Sequence, residues 1–341
     1  AGTQYAFSFT ITNPSSAQND ATVTIAASGT AAFPTSRGVM TTDTANVYGV
    51  TNGGKPMKVI EQSFSTKAIG QSTPLAGADV TITVTLTANS NFPAGSIVTI
   101  TGLTGTQTED TTLTVTSTDG STSGLLGTSG VWTKSDGKLV LTAAGAGTAY
   151  NAPCTVTFVL KQAAAEYTPP TVSVAASIKD GSSTVLGSIA QVAMDAPDAG
   201  TGIGAIVDTG TAIGANPLVV VLPEFDVRKI GQSNPLAGGS NTITVTIQSN
   251  VNLAQATDSS VVTISGLTNA PDAASLGLTS VESSGADLFS DGTTQGKGAL
   301  SSGTLTLTVH TGQTVVAGTQ YAFSFTITNP SSAQNDATVT I

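Results

Sequence analysis

Residue types that carry chemistry are scarce in this chain. One histidine, His310, and one cysteine, Cys154, stand among 341 residues. A catalytic nucleophile needs a neighbouring base, usually an imidazole that a third group orients. His310 falls on the threonine side of "TLTLTVH" and so faces solvent. Cys154 shares parity with Val156, Phe158 and Leu160, the pattern of a small buried hydrophobe. A lone cysteine forms no intrachain disulfide, which leaves an interchain bond as its other use. A tetrahedral zinc site would lack ligands.

Carboxylates are few and scattered. Glu109-Asp110 in "QTEDTT" and Asp195 with Asp198 in "MDAPDAGTG" are the densest spots, and neither has the spacing of a calcium loop. A Ca²⁺ ion at a junction between units is the one metal role left open. Nothing points to a glycosidase carboxylate pair. The Gly-x-Gly of "GTGIGAIVDTG" does not lead from a strand into a helix, as a phosphate cradle must. Lys229 is a candidate for an isopeptide crosslink to Asn or Asp in a β-sandwich core. Asn13-Pro14-Ser15 and Asn329-Pro330-Ser331 fail as N-glycosylation acceptors because of their proline, so sugar would sit on Ser and Thr hydroxyls. Thr81, Thr83, Thr85 and Thr87, like Thr304, Thr306 and Thr308, form ladders. They suit an ice- or polysaccharide-binding face, or serve simply as the best polar residue for an exposed strand. No catalytic, cofactor-binding or metal-ligating residue is assigned, no cofactor is expected, and the chain reads as no enzyme.

The elements behind these residues are strands. Apolar residues make up 39% and charged residues 9%, against a norm of about 25% charged. Mean hydropathy is +0.20, so a core can be buried and the surface falls to Thr, Ser, Asn, Gln and Gly. The net charge of −10, without a basic cluster, argues against nucleic acid and anionic membrane as partners. No apolar run approaches the roughly 20 residues of a membrane span, so no membrane insertion is expected.

Period-2 alternation dominates. Val80, Ile82, Val84 and Leu86 alternate with the first threonine ladder; Ile243, Val245 and Ile247 repeat the pattern. Tyr321, Phe323, Phe325 and Ile327 share one face, with Ala322, Ser324, Thr326 and Thr328 on the other. Asp-Gly pairs at 119–120, 136–137, 180–181 and 291–292 mark tight turns, and "WTKSDGKLVL" is a hairpin. "EQSFSTKAIG" and "ADLFSDG" have room for a short turn of helix. The fold class is all-β: two homologous antiparallel β-sandwich units in tandem, immunoglobulin-like or jelly-roll in architecture. The cysteine pair of true immunoglobulin domains is missing.

Two repeats are superimposed. "AGTQYAFSFTITNPSSAQNDATVTI" stands letter for letter at 1–25 and 317–341, an offset of 316 (317 minus 1). Inside it, "KAIGQSTPLAGADVTITVTL" from Lys67 answers "RKIGQSNPLAGGSNTITVTI" from Arg228 at 161 residues. "SIVTITGLT" answers "SVVTISGLT" at 164, and "TFVLKQAAAEYTPPTVSVAAS" answers "SFTITNPSSAQNDATVTI" at 167. Loop insertions account for the drift. The expected organisation is residues 1–54, the C-terminal part of a sandwich B from a preceding period; 55–216, sandwich A; and 217–341, sandwich B lacking its last segment. An engineered permutant or a strand-donating fusion is the alternative.

The succession "IGQS-x-PLAG", "TITVT", "VTI-x-GLT", "NP" and "VTI" resembles repeats of giant surface proteins of algae and protists, and is similar to sandwich arrays of bacterial adhesins. The likeness covers both units but rests on turn and strand signatures, and it transfers no functional residue. It implies an extracellular or cell-surface tandem-repeat fibre. The expectation is a structural filament of about 316 residues per period, with copies of itself as partners. The other reading is an adhesin or stalk that binds glycan or another surface.

Overall fold

The computed structural model describes residues 2–29, 38–168, 171–182, 184–197, 207–208, 211–212, 215–254, 260–282 and 285–341. Two compact units emerge: one holds 1–70, 81–161 and 169–196, the other 71–80, 162–168 and 197–341. The partition runs through the strands Phe64–Gln71 and Asp79–Ala88.

Sandwich A is one continuous path of nine strands. Edge to edge the order is Val185–Ala193, Ser173–Lys179, Ile97–Thr101, Lys138–Thr142, Ser129–Thr133, Thr111–Thr118, Cys154–Lys161, Asp79–Ala88 and Phe64–Gln71. The path turns at Thr111–Thr118. Its first half, Thr111 to Thr114, pairs with Ser129–Trp132, while Val115 to Thr118 pair with Thr155–Phe158. One strand thus serves both layers. In sandwich B the corresponding segment is broken into Ala273–Gly277, which pairs with Lys297–Ser301, and Thr279–Glu282, which pairs with Tyr321–Thr328. Among the described residues B accordingly has two main sheets: Phe225–Gln232, Ser240–Ser249, Tyr321–Thr328, Thr279–Glu282; and Val261–Ser265, Thr304–Val309, Lys297–Ser301, Ala273–Gly277, with Phe289–Ser290 also paired to Thr304–Val309; Leu253–Ala254 and Thr314–Val315 form a small pair beside them.

Alternation places the cores. Val80, Ile82, Val84, Leu86, Val156, Phe158 and Trp132 are buried in A; Ile243, Val245, Ile247, Leu305, Leu307 and Phe323 are buried in B. Each fully buried side chain of this size contributes about 1.5–3 kcal/mol. Both cores also need a glycine at one matching place. A Cβ on Gly130 would lie 2.7 Å from Leu139, and one on Gly298 would lie 2.6 Å from Leu307. The paired leucines fill the space that any larger residue would take.

The Asp-Gly turns form as expected, with positive φ at Gly120, Gly137, Gly181 and Gly292. A 3₁₀ turn at Ala286–Leu288 lies within "ADLFSDG". "EQSFSTKAIG", by contrast, holds no helix: Phe64–Gln71 is a strand. The one-faced pattern expected for Tyr321–Thr328 is also too simple, because Ala322 and Ser324 are buried as well. The strand is central, lying between Ser240–Ser249 and Thr279–Glu282. The Gly285 backbone rests against Ala322, so that its Cβ would lie 2.6 Å from the Ala322 oxygen, a contact only small residues permit.

The largest departure concerns the duplicated stretch. At 321–328 it is a strand, but residues 5–12 form none, although the sequence is the same. Only Thr24–Ile25 of the first copy is a strand, pairing with Gly38–Val39. A strand has no independent stability without partners along its edges. Tyr321–Thr328 has two; residues 5–12 have none in the described sheets.

Candidate functional site

The residues expected to bear chemistry do not converge. Glu109 pairs with Lys134 at 2.6 Å, and Asp110 accepts the Lys134 N–H. Asp195 pairs with Lys67 at 2.7 Å, and Asp198 lies outside the described residues. Most of "GTGIGAIVDTG" also lies outside them. Among the described residues no group of three or more His, Cys, Asp or Glu is placed to hold a metal. Cys154 is buried, as its parity predicts, and burial pushes its thiol up to about 11. Lys229 is exposed, outside any core. His310 is half-buried, and its backbone N–H donates to the Leu288 carbonyl. The threonine ladders lie opposite the core, exposed or half-buried. Among the described residues no helix is long and apolar enough to cross a membrane.

What does converge is a set of side-chain amides on two connector segments. The first connector runs over 55–63. Asn89 grips its far end: the Ser63 N–H donates to Asn89 Oδ1 at 2.9 Å, and Asn89 Nδ2 donates to the Glu61 carbonyl at 2.8 Å. The second runs over 216–224, where Asn250 does the same. Glu224 N–H donates to Asn250 Oδ1 at 2.8 Å, and Asn250 Nδ2 donates to the Leu222 carbonyl at 2.9 Å. Asn89 and Asn250 lie 161 residues apart (250 minus 89), as do the connectors. A carboxamide can accept and donate at once, so one side chain fixes both backbone polarities of an extended segment.

The near ends are held by glutamines. Gln71, buried, accepts the Leu218 N–H at 2.6 Å and donates to the Val219 carbonyl at 2.9 Å. Gln162 Nε2 donates to Gln71 Oε1 at 2.9 Å and to the Thr73 carbonyl at the same distance. Val220 exchanges two backbone hydrogen bonds with Tyr167, and Val221 exchanges two with the Pro74–Ala76 turn. Leu218, Val219 and Val220 are all buried.

On the first connector, Val59 exchanges backbone bonds with Gln18 at 2.9 and 3.1 Å, and Gln18 Nε2 donates to the Met57 carbonyl at 2.6 Å. Ala21 N–H reaches the Pro56 carbonyl, and Lys55 pairs with Asp20 at 3.2 Å, holding that carboxyl below its ordinary range. Met57 and Leu218 share a left-handed backbone, with φ of +60° and +56°. That conformation costs about 1–2 kcal/mol for a residue with a Cβ. The amide clamps offset it in both places.

Sequence reasoning saw Gln71 recur as Gln232 but missed the clamps. Asn89 and Asn250 recur at the same offset, as do Pro56 and Pro217, so the signal was present in the repeat alignment.

No family model and no curated protein matches this chain. Among solved structures it is similar to the type II cohesin dyad of the adaptor ScaA scaffoldin of Acetivibrio cellulolyticus, at 12% identity over 80% of this chain and 86% of that one, with a TM-score of 0.24. It is also similar to the serine-rich repeat protein Srr2 of Streptococcus agalactiae, at 12% identity over 81% and 87%, with a TM-score of 0.23. The C-terminal domain of the antigen I/II-family protein AspA of Streptococcus pyogenes matches at 10% identity over 79% and 92%, with a TM-score of 0.30.

Proposed function

We propose that this chain is a structural repeat of an extracellular filament or giant cell-surface fibre, with sandwich A and sandwich B as its period and copies of itself as its partners. The observation that carries this reading is the recurrence of one connector design. Val59 with Gln18 repeats Val220 with Tyr167, and Asn89 repeats Asn250, at the offsets of the sequence repeat. A solenoid-like array needs such a joint, since each unit is stabilised by itself and its neighbours.

In this reading residues 1–54 belong to a preceding sandwich B, 55–216 are sandwich A, and 217–341 are a sandwich B that the next period completes. The pairing Thr24 with Val39 supports it, because it matches Ser173 with Ala193 in sandwich A at the corresponding register. The mechanical role in this reading rests on the repeat and its recurring joint. Electron microscopy of the native material tests this. Unbranched fibres with a regular two-domain repeat are expected, and isolated globular particles would sink the proposal.

A further inference from the structure

Sandwich B carries a counterpart of the glutamine clamp of sandwich A, facing an open groove of about 530 Å³. Around it two backbone bonds recur. Gly77 N–H to the Ala163 carbonyl recurs as Gly238 to Pro330, and Gln162 N–H to Ala78 recurs as Asn329 to Gly239. One difference lies in the clamp itself, where Asn241 Nδ2, and not the Gln162 counterpart Asn329, donates to Gln232 Oε1 at 2.9 Å; the others lie where the connector sits in A. Gln71 is buried beneath Leu218–Val221, whereas Gln232 is exposed, and Ile230 is 42% exposed against 3% for its counterpart Ile69. The groove is lined by Gln232, Pro235, Ala237, Gln334 and Asp336.

The occupant can be read from the other end of the chain. Gln334 and Asp336 are the second copies of Gln18 and Asp20, and those two already hold a segment: Gln18 binds Met57 and Val59, and Asp20 binds Lys55. We infer that the groove of sandwich B is a socket for the connector Lys55–Ile60 of a second copy of this chain, with Gln334 and Asp336 replacing that copy's Gln18 and Asp20. Gln232 then reaches the Met57 N–H and the Lys58 carbonyl as Gln71 reaches Leu218 and Val219. Pro235 and Ala237 pair with Ile60 as Pro74 and Ala76 pair with Val221.

The exchange replaces contacts by chemically identical ones, as in domain swapping. It also adds the buried Gln232 contacts, which the first 25 residues alone do not supply. Charge sets the order of units. Asp336 faces a lysine, and Asn216, at the place of Lys55, carries no charge to answer it. A second groove of about 300 Å³ between Ile230, Ile247, Ile264 and Ile341 extends the same face. There Ser265 pairs with Thr340 as Thr101 pairs with Ser173, and in A that pairing continues for four more residues. Residues 25–28 of the second copy, with Ile25 exposed, continue it. The inference rests on the array reading for its biological sense.

The test places cysteines at the joint in the full chain. Gln18 and Val59 form a doubly hydrogen-bonded pair, whose Cα separation of about 5.5 Å lies within disulfide range. A chain carrying Val59→Cys and Gln334→Cys, mildly oxidised at high concentration, is expected to give a ladder of disulfide-linked oligomers on a non-reducing gel. Replacing Gln334→Cys by Thr311→Cys should remove the ladder. Adding Gln18→Pro, which deletes the competing N–H, should raise its yield severalfold. Asp336→Lys should lower the rate about two- to fivefold. Light scattering on the unmodified chain separates the two failures. Association without a 59–334 bond overturns the socket and leaves the array reading standing; neither association nor crosslink overturns both.

Discussion

Tyr5, Phe7 and Phe9 are 86, 82 and 77% exposed, while Tyr321, Phe323 and Phe325, the same residues in the same 25-letter sequence, are 7, 0 and 2% exposed. Local propensity is equal by construction, so it cannot be the cause. The second copy lies between two strands and over a core that includes Phe289, whose ring meets Phe323 edge-on at 5.5 Å. The first copy has what Gln18, Asp20 and Ala21 find on the connector and the short pairing of Thr24–Ile25 with Gly38–Val39. A strand in this protein is a property of its neighbours. Large apolar side chains left in water, in a segment known to fold elsewhere, mark where a neighbour belongs.

The sharpest way to break this comparison is to truncate the same residue in both copies. Phe323→Ala should destabilise sandwich B by about 3–5 kcal/mol, since it removes a fully buried ring. Phe7→Ala should stay within about 0.5 kcal/mol. Denaturant titration of each variant measures both, and equal effects would contradict the account.

The two glutamine clamps give a smaller contrast. Gln71→Ala strips buried partners from Leu218, Val219 and Gln162 and should cost about 1–3 kcal/mol. Gln232→Ala, at an exposed site, should cost well under that in the dilute chain. The asparagine clamps should show no contrast, because both are occupied: Asn89→Ala and Asn250→Ala should each cost about 1 kcal/mol. A thermal melt that resolves the two transitions would report which sandwich each change loosens.

The smallest effect is on pH dependence. Asp291 accepts from the Ser275 hydroxyl and from Thr293 and Thr294, and these bonds hold its carboxyl well below the usual range. A lowered folded-state value means its contribution is present above the ordinary carboxylate range and fades as pH falls through the depressed one. Asp119 and Asp180 are lowered in the same direction by backbone N–H groups in sandwich A. Acid melts below about pH 4 should therefore weaken both sandwiches, and Asp291→Asn should flatten the acid slope of B alone. An unchanged slope would remove Asp291 from the account.

Much of the fold was legible because burial in a two-layer β protein imprints period 2 on each strand. Val80, Ile82, Val84 and Leu86 needed nothing else. The Asp-Gly turns were legible because positive φ selects glycine. The break of one strand into Ala273–Gly277 and Thr279–Glu282 was not, since the register shifts within both pairings blur any period there. Phe64–Gln71 was misread as having room for helix because its pattern is blurred at an edge, where several residues are only half-buried. The clamps were hardest to see. Gln71 acts on a segment 148 residues away, and such a bond leaves no local period. Only comparing the repeats residue by residue exposes it.

The measurement that tests the central claim most directly is a structure of two consecutive periods in one chain. The account predicts that the connector after the first sandwich B lies across Gln232 and Gln334 as Asn216–Val221 lies across Gln71 and Tyr167, with Met57 again left-handed and Lys55 against Asp336. A connector that leaves that groove open, or a sandwich B whose exposed Ile230 stays exposed, would contradict it.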